Sequence, residues 1–212
     1  MSKVANGGKM VDESLVPASV LRKWITEFDQ LIEAAKQFAN FTRAYSKLLS
    51  EPKYHHLYPA YNKSHFAALG NLDLLISLKY LNISQSLGNA YEANHFARTV
   101  ALHTYEILEN PSKLLSKEVR QLVIDAVGED ALTTINSVLK QLNEIKKAHG
   151  NMLKEIRHNV IAHKADQALE QFDLMRGLKL KQIFEIGSQV AKLLSRISFA
   201  YTDIFIKLSS NP

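Results

Sequence analysis

Cysteine is absent from this 212-residue sequence, and glycine and proline are scarce, with eight and five copies. Without thiols the chain forms neither disulfides nor thiolate metal sites, so a reducing compartment is the natural fit. Few helix-breaking residues favour helical structure. Long uncharged apolar runs are also missing, because five charged residues interrupt the apolar segment 183–208. A membrane span tolerates few such charges, so we expect a cytoplasmic protein with no membrane partner.

The residues that are present have an ordinary globular balance, with 46% hydrophobic and 22% charged. The formal net charge is +5, a mild preference for polyanions such as nucleic acid. Residues 1–16 mix glycine with charged side chains and contain no apolar run, so they read as a flexible lead-in rather than a secretory signal. We expect residues 17–212 to form one domain.

Apolar residues recur at intervals of three and four along most of the chain, which is typical of amphipathic helices. The pattern predicts helices over residues 17–50, 65–86, 90–108 and 117–127, one from residue 130 to about 160, and a last long helix over 183–208. A short helical turn is expected to end at Met175. Gly150 suggests a kink or a close helix contact. The predicted fold is all-α, an antiparallel bundle of about five to six helices.

Residues 51–64 contain two prolines and several tyrosines and histidines, which predicts an irregular loop. Aromatic side chains in such a loop can stack on the bases of single-stranded RNA, with Tyr58 and Tyr61 as candidates. The alternative is a loop that packs on the surface of the bundle.

One short segment, residues 155–164, concentrates arginine, histidine, asparagine and lysine near the end of the predicted fifth helix. Arginine binds phosphate through a planar fork, and histidine exchanges a proton near neutral pH, so together they suit chemistry on a phosphodiester. Arg157 and His163 are six residues apart, which on a straight helix places them about 120° apart. The helix therefore ends or kinks before His163, or a second copy of the chain completes the site.

The run from Arg157 to His163 resembles the signature of the HEPN superfamily, an arginine followed by a polar residue and then a histidine after four to six intervening residues. Here His158 fills the polar position and five residues intervene. HEPN proteins are small helical bundles that usually dimerise around a shared cleft. Many are metal-independent endoribonucleases of phage defence or toxin–antitoxin systems. The motif sequence of this chain is similar to that of the abortive-infection branch.

The resemblance implies a role for each residue of the segment. Arg157 would hold the scissile phosphate, and His163 would act as general base or acid at the ribose 2′-OH. His158 would take the second proton-transfer role, Asn159 would orient the site, and Lys164 would contact the RNA backbone. The implied enzyme needs no metal or cofactor and forms a homodimer with a composite active site.

The resemblance also bears on regulatory partners. An antitoxin or a nucleotidyltransferase is the partner expected in a toxin–antitoxin system. Some toxin-type members carry a tyrosine two residues after the histidine, which the nucleotidyltransferase modifies. Ala165 occupies that position here, which argues against this mode of control.

Three other interpretations remain open. His163 could be a core histidine, and Arg157 could be a surface residue paired with Glu155 or Glu144. Two Glu-x-x-His motifs, beginning at Glu92 and at Glu155, could supply ligands of a di-iron centre in a helical bundle. The chain could also be a non-catalytic module that binds RNA, a nucleotide or another protein, because one fold serves many functions.

Overall fold

The computed structural model describes residues 16–161 and 177–210, which form six α-helices and no strand. The prediction of an all-α bundle is confirmed for these residues, whereas the lead-in and the helical turn ending at Met175 lie outside them. The helices are α1 (Ala18–Leu48), α2 (Tyr58–Ser86), α3 (Ala90–Glu109), α4 (Lys117–Val127), α5 (Thr133–Glu155) and α6 (Leu180–Ser210). Short 3-10 helices precede α2, α4 and α5, at Pro52–Leu57, Pro111–Lys113 and Glu129–Leu132.

Local side-chain chemistry sets several helix ends. The side chains of Asn89 and Ser116 accept hydrogen bonds of 3.2 and 3.3 Å from backbone N–H groups three residues later, at the starts of α3 and α4. Such caps satisfy donors that a helix leaves unpaired. Gly88 and Gly128 follow α2 and α4 with φ of 69° and 98°, which glycine adopts without a Cβ penalty.

Contacts between helices fix their directions. Phe28 meets Phe184 and Tyr45 meets Phe205, with ring centroids 6.3 and 5.2 Å apart, so α1 and α6 run in parallel. In contrast, the Asn71 amide of α2 donates to the Ser195 hydroxyl of α6 at 3.0 Å, and Leu78 of α2 lies beside Gly187 of α6. The positions rise along α2 as they fall along α6, so these two helices are antiparallel.

Helix α2 lies in the centre of the bundle and contacts α1, α3 and α6. Its buried leucines pack with Val100 of α3 and Leu194 of α6 in one core. Tyr201 of α6 is fully buried, and its hydroxyl donates to the backbone carbonyl of Leu114 at 2.5 Å. This bond ties α6 to the connection between α3 and α4, and burial raises the pKa of the Tyr201 phenol.

Two details of the predicted packing are wrong. The spacing of Phe28, Leu31 and Ala35 predicts that Leu31 faces the core, but Leu31 is 52% exposed and its neighbour Ile32 is buried instead. The close helix contact, one of the two alternatives suggested for Gly150, is absent, since among the described residues a Cβ there would meet only Lys146 Cγ of its own helix at 3.5 Å. The close approach occurs at Gly187, where a Cβ would lie 2.5 Å from Cγ1 of Val100.

No helix in residues 16–161 and 177–210 combines the length and the apolar character needed to cross a membrane.

Candidate functional site

The motif segment begins where regular α-helix stops. Helix α5 ends at Glu155, and Ile156–Ile161 continue as a π-helical turn that packs against α3. Histidine, asparagine, valine and isoleucine in this turn favour α-helix less than most residues, and buried Ile156 attaches the turn to the core. The α-helix that was predicted to reach residue 160 is therefore shorter. Such π-helical turns occur frequently at functional sites.

Arg157 is exposed at the start of this turn, and its guanidinium carbon lies 5.5 Å from the centroid of the Tyr105 ring of α3. This arrangement is a cation–π contact. Neither Glu155 nor Glu144 forms an ion pair with Arg157, and no other carboxylate in the described part of the chain does. No carboxylate of residues 16–161 or 177–210 therefore occupies its N–H groups.

The structure describes only some of the other motif residues. His158 follows Arg157 and is half-buried. Asn159 lies in the π-helical turn, and its side chain lies outside the described residues, as do His163 and Lys164 entirely. Arg157 and His158 are thus adjacent, and regular α-helix ends before His163. The positions of His163 and Lys164 relative to Arg157 stay predictions.

The loop predicted over residues 51–64 is wrong, because this stretch is a 3-10 helix followed by the first two turns of α2. Pro59 fits in the first turn of α2, where a backbone N–H has no partner within the helix in any case. The candidate residues Tyr58 and Tyr61 therefore project from a helix.

Tyr58 and Tyr61 belong to a row of four rings, which we call the aromatic ladder: His55, Tyr58, Tyr61 and His65. Successive ring centroids are 5.9, 6.4 and 5.8 Å apart, and the Tyr61 and His65 rings stack within 7° of parallel. Tyr58 is exposed and Tyr61 is half-buried. The ladder therefore presents aromatic surface to solvent at the start of α2, which sequence spacing alone did not predict.

Two lysines lie over rings that directly flank the ladder in sequence, Tyr54 before it and Phe66 after it. Lys53 Nζ is 4.6 Å from the centroid of Tyr54, and Lys113 Nζ is 5.3 Å from that of Phe66. Hydrogen bonding to Tyr54 is the main cause that raises the pKa of Lys53, so this lysine is cationic at neutral pH. Cations interleaved with aromatic rings are the composition that single-stranded nucleic acids bind.

The aromatic ladder and Arg157 do not form one pocket. Gly70 of α2 lies at the level of Ile107 of α3, since a Cβ on Gly70 would be 3.8 Å from Ile107 Cδ1. Helices α2 and α3 are antiparallel, so the nine residues from Tyr61 to Gly70 and the two from Tyr105 to Ile107 add up to eleven. At a rise of 1.5 Å per residue, Tyr61 is about 16 Å along the axis from Tyr105 and its Arg157.

The di-iron interpretation requires a cluster of metal ligands, and the described residues contain none. Glu92, His95 and Glu155 are all exposed, and Glu92 accepts a hydrogen bond from the Ser84 hydroxyl at 3.3 Å. Within the described ranges, no three His, Asp or Glu side chains are grouped closely enough to hold a metal ion. A di-iron site in a helical bundle needs carboxylates that point into the core, so these motifs do not meet its requirement.

Sequence reasoning missed Tyr105 as a partner of Arg157. The two residues are 52 positions apart, and nothing in their local spacing relates them. No family model, no curated protein and no solved structure significantly matches the chain.

Proposed function

We propose that the protein is a metal-independent endoribonuclease of the HEPN type. The observation that carries this proposal is Arg157, an exposed arginine with no carboxylate partner in the described residues, held on the Tyr105 ring beside His158 in a π-helical turn. A guanidinium that no described carboxylate pairs with suits bidentate binding of a phosphodiester.

The proposed reaction moves one proton onto the enzyme and one off it. His163 removes the proton of the ribose 2′-OH, and the 2′ oxygen attacks the phosphorus. The bond to the 5′ oxygen breaks, and His158 donates a proton to that leaving oxygen. Arg157 offsets the negative charge on the phosphoryl oxygens in the transition state. The products are a 2′,3′-cyclic phosphate and a 5′-hydroxyl, and neither metal nor cofactor is required.

Binding would extend along the RNA beyond the cleaved bond. Asn159 orients the reacting groups, and Lys164 adds positive charge for the backbone. Tyr58 and Tyr61 of the aromatic ladder stack on bases. The axial distance of about 16 Å between ladder and Arg157 corresponds to about five stacked nucleotides at a rise of 3.4 Å each. The proposed substrate is therefore a single-stranded stretch of at least this length.

The proposal includes a homodimer in the cytoplasm, with an antitoxin or nucleotidyltransferase as a further partner in phage defence or a toxin–antitoxin system. A two-fold axis would bring the motif of each chain to that of its partner, so that Arg157 of one protomer approaches His163 of the other. Exposed Phe199 of α6 offers apolar surface for the contact, whereas Tyr58 is left free to stack on RNA.

Cleavage of total RNA in EDTA tests the reaction class. The Arg157→Ala and His163→Ala proteins should lose about 100-fold or more in rate, because each removes charge stabilisation or proton transfer. Arg43→Ala is the matched control, since Arg43 is an exposed arginine of α1 outside the motif. Equal rates for Arg157→Ala and Arg43→Ala would contradict the assigned role.

Mixing the two inactive chains tests the composite site. If each active site takes Arg157 from one chain and His163 from the other, Arg157→Ala and His163→Ala together regain activity in the heterodimer. Light scattering reports the oligomeric state in the same samples. Monomeric wild type that still cleaves RNA would exclude the composite site while leaving the reaction class intact.

RNA binding without cleavage is the second candidate, and the aromatic ladder favours it as much as it favours the nuclease. Titration of a single-stranded oligonucleotide that cannot be cleaved separates the two. Tight binding that Tyr58→Ala and Tyr61→Ala weaken, together with intact RNA after long incubation, would establish a binding module.

A further inference from the structure

A polar groove of about 490 Å³ lies between α5 and α6, on residues to which the nuclease proposal gives no role. Its polar lining combines two cations, an imidazole, two amides and one carboxylate: Lys192, Arg196, His149, Gln141, Gln189 and Glu144. The volume falls within the range of about 300–1,000 Å³ that is usual for small-molecule sites.

The two cations are placed to act on one ligand. Lys192 and Arg196 are four residues apart on α6 and therefore share a face of the helix. Neither lies within 4.0 Å of a carboxylate in the described part of the chain, in contrast to Lys79 and Lys146, which pair with acidic residues. Glu144, in the same groove, is farther than this from both cations. Within residues 16–161 and 177–210, the positive charge of the groove is thus left without a close counter-charge.

The apolar and amide residues of the groove indicate the chemical character of the uncharged part of such a ligand. Leu193 is buried and Ile145 is half-buried, which gives the groove an apolar floor beneath its charged rim. Gln189 carries an amide with no hydrogen-bond partner in the described residues, and Gln141 donates to Ser137 while its carbonyl oxygen stays available. Amides beside apolar surface suit a flat heterocycle with polar edges.

We propose that this groove binds a small phosphorylated ligand of the nucleotide class. The phosphoryl group lies against Arg196 and Lys192, where a planar fork and a point charge meet its oxygens. The base lies on Ile145 and Leu193, with its edge toward the glutamines.

This site is separate from the proposed cleavage site. Lys146 pairs with Glu109 of α3 at 3.1 Å, so it marks the side of α5 that faces α3, where Arg157 also lies. Gln141 of the groove is five residues earlier, which is about 140° around the helix. The groove therefore faces a different side of α5, and the proposal does not depend on the nuclease proposal.

Calorimetric titration of the full chain with inorganic phosphate and with adenosine monophosphate tests the site. The double variant Lys192→Gln/Arg196→Gln should bind both probes at least about tenfold more weakly, because two charge-assisted contacts are lost. The matched control is Arg43→Gln/Lys207→Gln, which removes the same two charges from exposed positions outside the groove. The control should bind within about twofold of wild type, as diffuse surface charge is screened by salt.

A third variant should change the affinity for phosphate in the opposite direction. Glu144→Gln removes the carboxylate of the groove and should tighten phosphate binding about twofold to threefold, because it removes one like charge that acts on the phosphate through a water-like dielectric. Circular dichroism checks that each variant is folded, and Lys192→Gln alone replaces the double variant if that protein does not fold.

Three results would overturn the proposal. The first is no binding of either probe by wild type at millimolar concentration. The second is an equal loss in the groove and control variants. The third is binding of an RNA oligonucleotide at this groove without binding of the mononucleotide, which would assign the groove to nucleic acid instead.

Discussion

Replacing Gly187 by alanine should destabilise the bundle, because α6 approaches α2 and α3 closely at this glycine. A Cβ at this position would lie 2.5 Å from Cγ1 of Val100 and 3.1 Å from Cδ2 of Leu78. Val100 is fully buried in a helix, where a β-branched side chain has one strongly preferred rotamer. The added methyl therefore has to displace a stiff neighbour or the helix itself.

The magnitude follows from two opposing terms. Overpacking of a well-filled core costs about 1–3 kcal/mol, whereas alanine gains about 1 kcal/mol over glycine within a helix. Gly150→Ala isolates the second term, since its Cβ would meet only ordinary contact with Lys146 at 3.5 Å. Gly150→Ala should thus be stabilising by about 1 kcal/mol, and Gly187→Ala should lie about 1–3 kcal/mol below it.

Urea denaturation followed by circular dichroism measures both variants. The difference corresponds to at least about 2 °C in melting temperature for a chain of this size. Val100→Ala should partly relieve the clash, so the double variant Val100→Ala/Gly187→Ala should be more stable than the sum of the single effects predicts. Equal stability of Gly187→Ala and Gly150→Ala would refute the close helix approach.

Further outcomes are expected at three positions, Tyr201, Asn89 and Tyr105. Tyr201→Phe should lower the free energy of unfolding by about 1–3 kcal/mol, because it leaves the buried carbonyl of Leu114 without its donor. Burial raises the pKa of Tyr201 above its value in the unfolded chain. The stability contributed by Tyr201 should therefore be complete below about pH 10 and fall as the pH rises further, and pH-dependent denaturation of Tyr201→Phe should not show this fall. Asn89→Ala should cost about 1 kcal/mol and Asn89→Ser much less, since serine also caps α3; equal losses would exclude the cap. Tyr105→Leu should lower kcat/KM on RNA about twofold to fivefold, the value of an exposed cation–π contact with Arg157, and unchanged kinetics would remove that contact from the mechanism.

Helix positions were predictable because the bundle follows local rules. The helix predicted over residues 117–127 is α4 with the same bounds, since Ser116 caps its start and Gly128 ends it. The helix predicted to end at residue 86 is likewise α2, which ends at Ser86 just before Gly88. In these places the signal and the structure it sets lie within a few residues of each other.

Errors occur where a local rule has two outcomes. Two prolines predicted a loop over residues 51–64, but Pro59 lies in the first turn of α2, one of the few helical positions that tolerate proline. Leu31 and Ile32 are equally apolar, and only tertiary packing decides that Ile32 is buried.

The candidate site was predictable by residue type more than by geometry. Arg157 and His158 are recognisable in the sequence because arginine commonly binds phosphate and histidine commonly transfers protons. The π-helical turn at Ile156–Ile161 and the Tyr105 ring beneath Arg157 arise from packing of this segment on α3, which no local periodicity encodes. Similarly, glycine composition alone cannot distinguish Gly187, which is packed tightly, from Gly150, which is not.

The most direct test of the proposed chemistry is cleavage of a defined oligoribonucleotide in EDTA, with the ends of the products identified by mass spectrometry. The account predicts a 2′,3′-cyclic phosphate and a 5′-hydroxyl, and a single 2′-deoxy substitution at the cleaved nucleotide should abolish cleavage there because it removes the attacking hydroxyl. Arg157→Ala should leave the oligonucleotide intact under the same conditions, while Arg43→Ala should cleave it normally. Cleavage that requires a divalent metal, or that proceeds at the 2′-deoxy position, would contradict the account.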